Sequence, residues 1–257
     1  TLSSSSAASD VYKRQAYSNT AIGRAAIGGA VASNVAITAY KNVGVGADTG
    51  RYITTGYENT LAGFQAGFNM TTSLQNTFIG NESGLNFSTS TGKNTALGYR
   101  ALYTGSGTYA DNTAHSNVAL GWKAMGDNTS ACTSNQNVAI GYKAGRALAT
   151  GDDNIAIGYE SGVSLITGDD NTIVGNYAGA NLTDNSAQTL YGYKAGQHLI
   201  TGAGKNTLIG FYAGIKLGHG DCDNNTAVGY SALGGGHSTE TGNTGKNNTA
   251  IGTNTCG

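Results

Sequence analysis

Proline is absent from the chain, and only 11% of its 257 residues are charged, against about 25% in an ordinary soluble domain. Without proline and a glycine at every third position, a collagen triple helix is excluded. The scarcity of Glu, Lys and Leu excludes a coiled coil or a long helical bundle. No apolar run approaches the ~20 residues of a membrane-spanning helix, so no membrane insertion is expected of this segment. With 14 basic against 15 acidic residues, the cationic excess of a general nucleic-acid binder is missing, and no nucleic acid is expected as a partner. Disorder favours high net charge and low hydrophobicity; here the net charge is −1 and 39% of residues are hydrophobic. What is abundant is glycine, at 41 residues, together with Asn and Thr. That composition points to a β architecture built on turns.

The two ends stand apart. Residues 1–15 (TLSSSSAASDVYKRQ) share no pattern with the rest of the chain and resemble translated adaptor sequence, so they are set aside as a non-repeat, non-native segment. Residues 16–257 form the repeat domain, which stops inside a repeat at NNTAIGTNTCG and reads as truncated at its C-terminal end.

Self-similarity dominates the repeat domain. A unit N-[T/V/I]-x-[I/L/V]-G-[aromatic]-x-A-G begins at Asn19, Asn42, Asn59, Asn76, Asn94, Asn117, Asn137, Asn154, Asn171, Gln188, Asn206, Asn225 and Asn248. The commonest step is 17 residues, and the longest is 23. In NVAIG (137–141), Val138 and Ile140 alternate with Ala139, the period-2 signature of a half-buried strand. Glycine at position 5 marks a turn or a close backbone approach. A second apolar column at position 12 runs through Ile53, Met70, Phe87, Leu148, Leu165, Leu182, Leu199 and Leu217, so two strand-like pieces per coil are expected. Short coils carry Gly at position 9, whereas the long ones carry Ile27, Leu102, Met125 or Leu233. Glycine permits the positive φ of a tight reversal, so the long coils are expected to leave the solenoid in loops at 106–116, 127–136 and 234–246. The fold class is therefore all-β, a parallel β-solenoid or β-roll of about 12 coils with a 17-residue core period. No coil can stand alone, because ladder bonds between neighbours must offset its ordering entropy.

The cores SNVALG (116–121) and QNVAIG (136–141) resemble the NSVAIG repeats of trimeric autotransporter adhesin heads, the YadA-like heads. The longer NTAIGYKAG form is similar to repeats in bacteriophage tail fibres. The resemblance covers residues 19–252, although this coil is wider than the adhesin-head repeat. It implies a left-handed roll, a homotrimer of chains side by side, and an extracellular place on a cell surface or virion tail fibre.

Few residues suggest other chemistry. His219, Asp221, Cys222 and Asp223 cluster in one turn, with His237 at a similar phase one coil later; polar loop residues are the favoured reading over metal ligands. Cys132 and Cys222 lie five coils apart, too far for a disulfide, leaving unpaired thiols or a bridge between chains. The TGDDN turns put Asp152 and Asp153 over Asp169 and Asp170, where local Asx hydrogen bonding is favoured over Ca²⁺ binding. No nucleophile triad is present. No cofactor, metal or catalytic residue is assigned, and the chain is not expected to be an enzyme. The mixture of Thr with Val and Ile at position 2 argues against an ice-binding lattice. Sequons such as Asn181-Leu182-Thr183 matter only in a eukaryotic secretory setting.

The aromatic column at position 6 is the candidate ligand surface: Tyr99, Trp122, Tyr142, Tyr159, Tyr193, Phe211 and Tyr230. Arg100, Lys123, Lys143 and Lys194 stand one place after it. Exposed, it would stack carbohydrate; facing another chain, it would be interface packing, the favoured reading. Position 3 is small in many coils (Ala96, Ala119, Ala139, Ala156), which suggests an outward strip for close approach of chains, with Phe78 and Ile173 needing pockets. The expected function is a surface fibre or adhesin head that projects or forms a surface for a host glycan or protein receptor. The alternatives are a bacteriophage tail-fibre shaft and a solenoid polysaccharide-processing enzyme.

Overall fold

The computed structural model describes residues 18–29, 37–87, 92–105, 112–126, 132–200, 202, 204–215, 217–218, 222–234 and 245–255. Residues 1–15 lie outside these, as do 106–111, 127–131 and 235–244, which hold most of the three expected loops. Thirteen strands of three residues each run from β1 (Thr20–Ile22) to β13 (Thr249–Ile251) and form one parallel sheet in strict chain order. The described residues contain no helix. Successive strands pair in the register of the repeat, as Ala139 with Ala156 and Ala156 with Ile173. The chain is a parallel β-solenoid, one strand per coil, as the repeat implies.

Backbone hydrogen bonds run from coil to coil beyond the strands. The Val138 N–H donates to Asn154 O at 2.8 Å, Gly158 N–H to Ile140 O at 2.8 Å, and Gly145 N–H to Ser161 O at 2.9 Å. Outside the three-residue strands the described coil is turns and bends with isolated bridges, Leu217 among them, so the position-12 residues form no continuous second strand. They are nonetheless buried: Ile53, Met70, Phe87, Leu165, Leu182 and Leu199 are among the largest fully buried side chains. Their apolar character is a burial signal, and alternation around them is too short to specify extended backbone.

The strand face is the reverse of the expectation. Position 3 points inward: Ala96 and Ala119 are fully buried, and so are Phe78 and Ile173, which need no interfacial pocket. Positions 2 and 4 point outward, so β7 (Val138–Ile140) and β8 (Ile155–Ile157) bury their central alanine and leave their flanking residues partly or largely exposed. The alanine strip therefore lies in the core, and lysine there would test folding, not assembly.

The reason is volume. The narrow interior is filled from positions 3, 8, 9 and 12, and positions 3 and 9 are never both bulky, although both are small in the pairs Gly44/Gly50, Ala139/Gly145 and Ala156/Gly162. Where position 3 is large (Leu61, Phe78, Ile173, Leu190, Leu208), position 9 is Gly67, Gly84, Gly179, Gly196 or Gly214. Where position 9 is Ile27, Leu102, Met125 or Leu233, position 3 is Ala21, Ala96, Ala119 or Ala227. Conformation does not separate the two groups. Ile27, Leu102, Met125 and Leu233 have φ of 46–53°, beside 53–60° for the glycines of the short coils. Glycine at position 9 makes room for a neighbour; it is not what closes the turn.

This packing rule has a direct test. A Cβ on Gly145 would meet nothing nearer than the Ala139 methyl at 3.5 Å, whereas one on Gly84 would enter the Phe78 ring. Gly145→Ala should therefore cost about 1 kcal/mol, the left-handed penalty alone. Gly84→Ala should cost roughly 1–3 kcal/mol more through overpacking. Urea midpoints of the two variants compare them directly, and equal shifts would reject the rule.

Candidate functional site

Glycine at position 5 turns the chain out of the strand, and the next residue is delivered to the corner of the coil, one per coil. There the rings form a ladder. Trp122 and Tyr142 stack with centroids 4.9 Å apart and planes 7° from parallel. Tyr142 and Tyr159 stack at 4.8 Å and 8°, and Tyr99 joins above Trp122 at 5.9 Å. The repeat spacing of parallel strands thus sets the spacing of the rings. Asn176 interrupts position 6, and Tyr177 from position 7 bridges the gap, edge-on to Tyr159 at 5.2 Å and to Tyr193 at 6.3 Å. Beyond it, Tyr193 stacks on Phe211 at 4.9 Å, and Phe211 on Tyr230 at 5.5 Å. All seven expected residues therefore share one edge of the solenoid.

Tyr177 and Tyr212 complete the ladder and lie outside the expected column. Their signal in the sequence is an aromatic one place after it, in coils where position 6 is Asn176 or Phe211. A second, shorter stack, Tyr40 on Tyr57 at 4.9 Å, sits on the other flank of the sheet.

Stacking also decides what the ladder presents. From Tyr99 to Tyr159 ring faces lie against neighbouring rings, so sugar rings cannot use those faces as a platform, although Tyr99, Trp122 and Tyr159 stay partly exposed. The basic residues at position 7 lie over the same rings. Lys123 Nζ is 4.6 Å from the Trp122 centroid, Lys143 Nζ 5.0 Å from Tyr142, and Arg100 Cζ 5.2 Å from Tyr99. These are cation–π distances. Glu82 pairs with Arg100 at 2.6 Å and Glu160 with Lys143 at 3.6 Å, at the two ends of the run. The hydrogen bond that Arg100 donates to Glu82 holds its guanidinium above the ordinary range. Desolvation, then the Glu160 charge, pushes the Tyr159 phenol up.

The outer sheet face is the second surface. Position 4 carries Ile22, Val45, Ile79, Leu97, Tyr191, Ile209 and Ile251, exposed by about a third to two thirds, with Leu120, Ile140, Ile157, Val174 and Val228 half-buried, and position 2 mixes Thr with Val and Ile. This face runs along all thirteen strands beside the ladder.

The remaining candidates resolve into local structure where they are described. Asp152 Oδ1 accepts the Asn135 N–H at 2.6 Å, and Asp169 Oδ1 accepts the Asp152 N–H at 2.8 Å, so these carboxylates tie adjacent turns. Cys132 and Cys222 are buried and form no disulfide. Burial pushes the Cys132 thiol up, with Ser134 Oγ 3.3 Å from its sulfur. His219, Asp221 and His237 lie outside the described residues. Among those described, no group of three or more His, Cys, Asp or Glu is placed to hold a metal, and no helix is long and apolar enough to cross a membrane.

Comparison with known proteins finds no matching family model, no similar characterised sequence and no similar solved structure.

Proposed function

We propose that this chain is a structural, non-enzymatic segment of an extracellular fibre or adhesin head, assembled as a homotrimer through the outer face of its sheet. The observation that carries the reading is the outer sheet face, where position 4 is Val, Ile, Leu or Tyr in every strand but β3 (Thr60–Ala62), beside a position 2 that mixes Thr with Val or Ile. Leu97 is 49% exposed, Tyr191 58% and Ile22 60% in the single chain. Monomeric soluble proteins rarely leave a contiguous apolar patch beyond a few hundred Å². Thirteen strands about 4.8 Å apart carry this row of largely aliphatic side chains along the whole sheet, a length that suits side-by-side association of chains. The resemblance to adhesin-head repeats supplies the number three, and the rod-like scaffold suits a part that projects a receptor-binding surface from a cell or virion.

Charge on the face tests it. Leu97→Lys, Ile155→Lys and Ile209→Lys alter side chains that a single chain already exposes, so the coils should still form. Sedimentation of the unmodified protein should give a trimer, and of the triple variant a monomer with unchanged β circular dichroism. A folded monomer in the unmodified protein at micromolar concentration would sink the assembly.

A further inference from the structure

Three of the ladder's four cations are consecutive, and Lys194 stands three coils further on, over Tyr193. Arg100, Lys123 and Lys143 occupy position 7 of three successive coils, each backbone locked by a bond to the coil before: Arg100 N–H to Asn81 O at 3.0 Å, Lys123 N–H to Tyr99 O at 2.9 Å, Lys143 N–H to Trp122 O at 2.9 Å. All three residues hold positive φ, 51–54°, which sets their side chains at the same angle in each coil. Beneath them run Tyr99, Trp122 and Tyr142. Glu82 and Glu160 bound the row, one coil before and one after. The chain as a whole is nearly neutral, so this row is a local feature and not a consequence of net charge.

We propose that this strip, on the coils beginning at Asn94, Asn117 and Asn137, is a binding site for a linear carboxylated or sulfated polysaccharide. The ligand class rests on the geometry. Cations in a row on a rigid scaffold suit a polymer bearing charge at intervals, whereas a compact anion needs donors that converge. The rings are already stacked, so they offer no open face to an unpaired nucleobase, whose binding depends on such stacking. Arg100 and Lys143 remain partly exposed beside their Glu82 and Glu160 partners, and guanidinium and ammonium groups are donors suited to carboxylate, sulfate and hydroxyl oxygens. This deepens the adhesin reading by naming the ligand, but the strip lies around the corner from the apolar face, so each fails on its own measurement.

Trp122 is the chain's one tryptophan and lies directly under Lys123, which makes it a built-in reporter. Titrating the full chain with dextran sulfate should change its emission, and neutral dextran of the same length should not. Lys123→Gln with Lys143→Gln should weaken dextran sulfate binding at least tenfold and lower the salt slope by roughly two ions. The paired control, Lys41→Gln with Lys205→Gln, removes equal charge elsewhere and should leave affinity within about twofold. Circular dichroism checks the fold of both variants, and sedimentation reports assembly separately. Equal losses in both variants, binding with no Trp122 response, or equal affinity for neutral dextran or single-stranded DNA would overturn the proposal.

Discussion

Alanine at Gly158 is expected to lose about 3–5 kcal/mol of stability, the sum of a strained backbone and a steric clash. Gly158 has φ +134°, and a Cβ there would sit 2.7 Å from both the C and O of Gly175 in the next coil. The obstacle is backbone, which cannot rotate away as a side-chain tip can. Nor can the coil below retreat, because Gly175 stands in the same relation to Gly192. Every unit has glycine at this position, and the column forms a close-packed spine. Gly202 separates the two contributions: its φ is +86°, yet a Cβ there meets nothing within 4 Å. Gly202→Ala should show the conformational penalty alone. Urea unfolding monitored by circular dichroism compares them, and similar midpoints would refute the packing half of the account.

The spine is legible in sequence because its requirement is absolute: one residue type, one position, every coil. Strand number and register come from the same spacing. Which strand face is inside is not legible. Val-Ala-Ile reads by hydrophobicity as Val and Ile inward, and Ala139 and Ala156 as outward. The coil interior is instead narrow, and Leu148, Leu165 and Met125 already fill it from other positions. The relation between positions 3 and 9 is visible in sequence as a correlation of glycine with coil length, which points to backbone φ, although both groups share that φ and side-chain volume excludes two bulky residues at once. Position 6 is legible as a column. Its geometry is not, since Tyr177 entering from position 7 depends on the angle at which the corner delivers successive residues.

Position 1 reads in sequence as no more than the start of the unit, yet among the described residues its side chain is bonded from coil to coil along the solenoid. Asn42, Asn59, Asn76, Asn94, Asn117 and their successors are buried in a continuous amide ladder. Asn154 shows the pattern: its Nδ2 donates to Asn137 Oδ1 at 3.0 Å and to Gly168 O at 2.8 Å. Its Oδ1 accepts the Asn171 backbone N–H at 3.1 Å and the Asn171 amide at 2.9 Å. Buried polar groups are tolerable only when satisfied in this way. Asn154→Ala would orphan the Asn171 N–H and leave the Gly168 carbonyl without its amide donor. At about 1–3 kcal/mol for each, the expected loss is roughly 2–6 kcal/mol. Gln188 indicates how much variation the ladder accepts. It takes the same place, and Asn206 reaches its Oε1 through bonds of 3.2 and 3.3 Å, longer than those of most Asn pairs. Asn154→Gln should therefore retain most of the stability that Asn154→Ala loses. Because coils contact only their neighbours, the damage should be centred there. Hydrogen exchange should show lost protection at the Asn171 amide first, spreading to the flanking coils. Unchanged protection at Asn171 in the alanine variant would mean the amide ladder is a consequence of the fold and does not hold it.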